Sequence, residues 1–163
     1  MGSREMNAIQ LTDIDRRIVT ALAERGQLPY KELADQVGIP VSTCHGRVRA
    51  LEERGVIRGY RVDIDPDALG LSVSALILVR VQGHQRDRVP DIAGELRRIP
   101  GVQQVFLIGG ERDMVVHVAC ENVPALRNLL AEHFGSNAAL AQTQTQIVFD
   151  HLSGLAPVGS HSA

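Results

Sequence analysis

The sequence is short of the features that commit a chain to several common tasks. It has only two cysteines in 163 residues. Cys44 and Cys120 lie far apart and outside any Cys-x-x-Cys pair, which argues against a disulfide framework or a zinc site, so both read as buried thiols. No apolar run approaches the roughly 18 to 20 residues that span a bilayer, and the start, Met1-Gly2-Ser3-Arg4-Glu5, has no signal-peptide core. The expectation is a cytoplasmic protein with no membrane partner. His45, His84, His117, His133, His151 and His161 include no pair at the i, i+4 spacing of a helical metal site, and no serine or cysteine sits in a nucleophile elbow. No catalytic residue, metal or cofactor is therefore expected, and His117, inside an apolar run, reads as a packed or interface residue. A charge excess of one sign is missing too, with a net charge of −2. Nucleic-acid binding must then show in where the charges lie rather than in their sum.

What is present suits a folded chain. With 44% hydrophobic and 22% charged residues, there is apolar area enough to offset the entropy of ordering, and the length suits two small domains. In the first half, Ile14, Ile18, Ala21 and Leu22 fall at helical spacing over Asp13 to Arg25, with Thr12 placed to cap the helix and Gly26 to end it. Tyr30, Leu33, Ala34 and Val37 repeat the stripe until Gly38. Cys44, Val48 and Leu51 form a third, with Pro40 suited to its first turn and Gly55 closing it. Val56 to Ile64 then reads as a small wing or strand pair. Turn formers from Asp65 to Leu71 mark a linker.

The second half changes period. Val73, Ala75, Ile77, Val79 and Val81 alternate with Ser74, Leu76, Leu78, Arg80 and Gln82, the two-residue repeat of a strand. A helix with Val89, Ile92, Ala93 and Leu96 inward follows, ended by Pro100-Gly101. Strands at Val102 to Ile108 and Met114 to Cys120, a helix at about Val123 to Phe134, and a strand at about Ala139 to Phe149 complete a βαββαβ order, the ferredoxin-like motif. The fold class expected is α+β, a winged helix-turn-helix at 8–64, a linker at 65–72, a ferredoxin-like domain at 73–153 and a flexible tail at 154–163.

On the third helix, Ser42, Gly46, Arg49 and Glu53 fall opposite the apolar stripe, flanked by Thr43 and His45. A slim polar face of this kind is what a major groove admits, with Arg49 the best candidate to reach a base edge. Between Ser42 and Val62, Arg47, Arg49, Arg54, Arg58 and Arg61 outnumber Glu52 and Glu53, so positive charge gathers on the helix and the wing, where a phosphate backbone rewards it. Arg47 lies near the apolar stripe, and an internal salt bridge suits it as well as a DNA contact.

The runs Asp13-Ile14-Asp15-Arg16-Arg17-Ile18, Leu33-Ala34-Asp35-Gln36-Val37-Gly38 and Arg47 to Tyr60 closely resemble the Lrp/AsnC (feast/famine) family of prokaryotic regulators. The likeness extends through Pro100-Gly101-Val102 and Gly110-Glu111-Arg112-Asp113 and covers about Leu11 to Leu152. It implies a transcription regulator with a RAM-type (ACT-like) effector domain, nucleoid-associated, whose dimers often assemble into octamers and whose usual effectors are amino acids. Pro40, Gly46 and Arg112 stand where family members often carry a hydroxyl residue, a bulkier polar residue and an aromatic one.

Both faces of the expected sheet are apolar in part, and such a sheet covered by helices on one side needs a second sheet or subunit on the other, from which a symmetric dimer is expected. The loop Gly109-Gly110-Glu111-Arg112-Asp113 is the most ligand-like stretch. Its glycines let backbone N–H groups approach an anion, Arg112 suits a carboxylate and Asp113 an ammonium, although a plain β-turn accounts for the same residues. By analogy with the family, Thr143 and Thr145 join the effector-binding set. The function expected is sequence-specific binding to double-stranded DNA under control of a small-molecule effector, and the alternative is an architectural protein that compacts DNA with little sequence preference.

Overall fold

The computed structural model describes residues 10–62 and 64–152. They fall into two compact units, Ile64–Leu152 and the described residues before it. The expected tail at 154–163 lies outside the described residues, as does Asp63.

The first unit is three helices, α1 (Asp13–Arg25), α2 (Tyr30–Val37) and α3 (Val41–Glu53). They close around Ile18, Ala21, Leu33, Ala34, Val37, Cys44, Val48 and Leu51, the side chains that the three apolar stripes bring together. Burial of each large member contributes about 1.5 to 3 kcal/mol, which holds helices too short to persist alone. α1 begins with a capping box. The Thr12 hydroxyl accepts from the Asp15 amide at 3.2 Å, and the Asp15 carboxylate accepts from the Thr12 amide at 3.1 Å, so two otherwise orphaned donors are satisfied. α2 ends where Gly38 turns left-handed at φ 74°, a conformation that a side chain makes costly. Pro40 caps α3 rather than standing inside its first turn, and its carbonyl takes the Cys44 amide at 2.9 Å.

The expected strand pair after α3 is absent among the described residues, for 56–62 carry no strand. Val56 and Ile57 pack against the helical core, but Val62 is 83% exposed. Alternation suggested a ribbon there. With one end in water and no third strand, such a ribbon gains too little to persist.

The second unit runs β1 (Val73–Val81), α4 (Val89–Leu96), β2 (Val102–Leu107), β3 (Met114–Cys120), α5 (Val123–Leu129) and β4 (Leu140–Val148). The sheet order is β2-β3-β1-β4, antiparallel throughout, as the βαββαβ motif requires. β1 and β3 are central. Ala75, Ile77, Val79 and Val81 of β1 and Met114, Val116 and Val118 of β3 are buried with Ile92, Ala93 and Leu96 of α4 and Leu126 and Leu129 of α5. The last helix departs from expectation: α5 ends at Leu129 and passes into a π turn, Leu130–Gly135, which buries Phe134. β4 begins at Leu140 and ends at Val148, one residue inside the expected strand at each end.

Candidate nucleic-acid interface and effector loop

With Cys44, Val48 and Leu51 facing the core, the helical period leaves Ser42, Thr43, His45, Gly46 and Arg49 exposed on α3. A Cβ added at Gly46 meets nothing within 4 Å, so no internal packing calls for a glycine there. A helix-interior glycine nevertheless weakens the helix by about 0.5 to 1 kcal/mol relative to alanine. The His45 ring is met edge-on by Tyr30 at the start of α2, with centroids 4.8 Å apart. That contact restrains an otherwise exposed side chain.

The arginines divide by what they touch. The Arg47 Nη1 donates to the Asp15 carboxylate at 2.9 Å and to the Thr12 hydroxyl at 3.2 Å, which fastens α3 to the start of α1. Burial works to raise the pKa of Asp15, but the Thr12 hydroxyl and amide and the Arg47 guanidinium outweigh it and lower the carboxyl below its usual range. Arg54 donates to the Gln10 carbonyl at 3.1 Å. Among the described residues Arg49 donates only through Nε, to the Glu53 carboxylate at 3.0 Å, and both side chains are well exposed. Arg58 and Arg61 are exposed in the segment after α3. That segment is tied back by Tyr60, whose hydroxyl donates to Glu52 at 3.2 Å; burial, then the Glu52 charge, pushes the phenol pKa up.

The loop residues are placed differently. Gly109, Gly110 and Glu111 are exposed, with Gly110 at φ 117°. Arg112 and Asp113 are already engaged. Arg112 donates to Gln142 at 2.8 Å and to Gln144 at 3.4 Å on β4. The Asp113 carboxylate accepts from the Val81 amide at 2.7 Å, and the Asp113 amide donates to the Val79 carbonyl at 2.9 Å. Both contacts flank the register shift of β1 between Arg80 and Val81, so Asp113 secures the end of that strand. The Arg86 guanidinium lies 3.8 Å from its other oxygen.

Thr143 and Thr145 pair with Val79 and Ile77, and paired side chains share a face of the sheet. They therefore lie on the helix side, while Gln142 and Gln144, which hold Arg112, lie on the open side. One chain does not bring all the expected effector residues together.

The open side is a mixed surface. Phe106, Val115, Leu78 and Gln144 form one cross-strand row, and Gln104, His117, Leu76 and Gln146 the next. Phe106 is 48% exposed and Leu76, Leu78 and Val115 are half-buried. His117 Nε2 lies 2.7 Å from the Ser74 hydroxyl, and burial, then the charge of His151, lowers its pKa. Burial pushes the Cys44 and Cys120 thiols up, as expected for inert packed cysteines. Among the described residues no cluster of histidine, cysteine and carboxylate side chains could hold a metal, and no helix is long and apolar enough to cross a membrane.

Sequence reading passed over the pairing of Glu53 with Arg49, although their i, i+4 spacing was the available signal.

Comparison with known proteins agrees with the architecture. Residues 11–58 match the winged helix-turn-helix DNA-binding family, and residues 74–154 match the Lrp/AsnC ligand binding domain. The chain is 41% identical over 155 residues to the HTH-type transcriptional regulator AldR of Mycolicibacterium smegmatis, spanning 95% of this chain and 91% of that protein. Among solved structures, that of MtbAldR superposes with a TM-score of 0.73 at 39% identity, covering 90% of this chain and all of the other. A transcriptional regulator of Neisseria meningitidis solved as its L-Met complex gives a TM-score of 0.82 at 26% identity, covering 89% and 94%. The fold is therefore α+β, a winged helix-turn-helix followed by a four-stranded ligand-binding domain, in a DNA-binding regulator rather than an enzyme, and the chain belongs to the Lrp/AsnC family.

Proposed function

We propose that this protein is a sequence-specific transcriptional regulator that binds operator DNA as a homodimer, assembling further to an octamer, under control of an amino-acid effector. The observation that carries the DNA reading is the face of α3. Ser42, Gly46 and Arg49 are exposed there, and Gly46 has open space where a side chain would project. Thr43 and His45 flank that face, while Arg49 supplies the base-edge contact and Arg58 and Arg61 the phosphate contacts. Arg47 and Arg54, held internally, act by positioning α3. The protein works in the cytoplasm on the nucleoid. Selection from a random duplex library, followed by titration of the selected and a scrambled duplex over a salt series, tests this. A selected site bound far more tightly supports the regulator, and equal affinities support the architectural alternative.

The dimer is supported by the open sheet face, where half-buried Leu76, Leu78 and Val115 and exposed Phe106 form an apolar patch of the kind that an interface covers. A two-fold pairing of these faces also supplies the two reading heads of a palindromic operator. Sedimentation at micromolar concentration checks the assembly and separates dimer from octamer.

For the effector, Gly109, Gly110 and Glu111 are free to receive a ligand, and Arg112 and Asp113 are the carboxylate and ammonium partners once their internal bonds are exchanged. Thr143 and Thr145 are contributed by another subunit, since one chain holds them on the far side of the sheet. The L-Met bound by the Neisseria regulator supports the amino-acid class. A thermal-shift screen of the twenty amino acids reads it directly, because a ligand at 100 times its Kd stabilises the native state by about 2.7 kcal/mol.

A further inference from the structure

We infer that Glu53 is a positioning residue for base reading: it holds Arg49 so that the guanidinium fork faces the groove, and it thereby makes one operator position a guanine. The inference rests on the DNA reading of α3 proposed above and names a specificity device within it.

Arg49 has three nitrogens that can donate. The Glu53 carboxylate takes Nε at 3.0 Å, and among the described residues the two terminal nitrogens make no hydrogen bond. Ser42, Gly46, Arg49 and Glu53 lie on one helical stripe at spacings of four, three and four, so the pair is on the groove side. The two free nitrogens form the fork that matches guanine O6 and N7, the commonest specific arginine contact in a major groove. An arginine without a partner binds any phosphate. A carboxylate beside it changes that balance, because it repels the phosphate backbone of every sequence equally while leaving the fork available to a base edge. Discrimination then comes partly from a repulsive element.

The neighbouring arginines show why Arg49 is the one so placed. Arg47 spends its Nη1 on Asp15 and Thr12, and Arg54 spends its Nη2 on a backbone carbonyl. Glu52, one residue before Glu53, accepts instead from Tyr60. The two adjacent carboxylates thus serve different partners, and among the described residues only Glu53 addresses the groove-side arginine.

The test uses the full-length protein and the duplex selected from the random library, a copy with the guanine replaced, and a scrambled duplex. Glu53→Gln, Glu53→Asp, Arg49→Ala and Arg49→Ala/Glu53→Gln are compared with the parent, with circular dichroism confirming the fold. Glu53→Gln is expected to raise affinity for scrambled DNA and to lower discrimination at the guanine by at least about fivefold, the lower end of what one bidentate contact supplies. Glu53→Asp, which keeps the charge and shortens the reach, is expected to keep scrambled binding low and still lose base discrimination. In the Arg49→Ala background the Glu53→Gln effect on discrimination should vanish. Unchanged discrimination in Glu53→Gln alongside a loss in Arg49→Ala overturns the inference and leaves the regulator intact. So does a change of preference confined to a different base pair, which makes Glu53 a direct reader of cytosine. A parent protein that selects no site at all removes both.

Discussion

The three-helix unit and the sheet unit treat their candidate residues in opposite ways. On α3 the polar side chains picked out for DNA stay on the surface, and those with internal partners, Arg47 and Arg54, reach past the helix edge to the start of the unit. In the sheet unit, Arg112 and Asp113 are consumed by β4 and β1 before any ligand arrives. The difference is one of locality. A helix fixes which residues share a face within a single run of sequence, whereas a sheet decides it by pairing strands that can lie 30 or more positions apart, as β1 does from β3 and β4. A site on a helix is thus open by construction, and a site on a sheet loop must first be released.

The comparison is broken most severely at the open sheet face. Leu78→Asp places a charge at the proposed two-fold interface, and is expected to weaken assembly by more than about 3 kcal/mol, turning dimers into monomers in sedimentation at micromolar concentration. If Leu78→Asp leaves the assembly intact, the face is not the interface. Arg49→Ala is expected to weaken binding to the selected duplex by about 1 to 3 kcal/mol and relax one base position, while Arg58→Ala and Arg61→Ala weaken all sequences alike and flatten the salt slope. Equal losses on selected and scrambled DNA for Arg49→Ala remove its base-reading role.

Asp15→Ala removes a cap and the partner of Arg47 together, and should destabilise the helical unit by about 1 to 2 kcal/mol in urea titrations. The same group sets a pH dependence. Its folded pKa is lowered from the ordinary value of 3.8, so the stability it supplies is complete above that value and is lost as pH falls through and below it. Asp15→Ala should flatten this acid limb. The smallest effect sharpens the contrast most: Gly46→Ala should stabilise the helical unit by about 0.5 to 1 kcal/mol while weakening DNA binding. A Gly46→Ala protein that gains stability and binds DNA unchanged shows that the open space at Gly46 is not used by DNA.

How much was legible follows from the same locality. α1 and α2 were readable to their ends because Thr12, Gly26 and Gly38 act on the backbone beside them. β1 was readable because alternate residues from Ala75 to Val81 are buried. The strand pair after α3 was over-read because Val62 and Ile64 carry a strand's composition but lie in no strand among the described residues, and composition says nothing about what lies opposite. The π turn after Leu129 had no signal, since the stripe of Leu126, Leu129 and Leu130 suits a continuing α-helix equally well. Whether Arg47 turned inward could not be decided from one helix, since its partner Asp15 lies 32 residues away. Arg112 was legible as a cation in a glycine loop but not as the partner of Gln142, 30 residues on.

The carboxylate of Asp113 does at the bulge of β1 what a ladder partner does elsewhere, taking the Val81 amide. The ligand amine proposed for the loop and the last residue of that strand therefore draw on one carboxylate. On the proposed reading, occupancy of the loop is transmitted to the strand whose Leu76 and Leu78 face the open side, and so to the proposed contact between two copies.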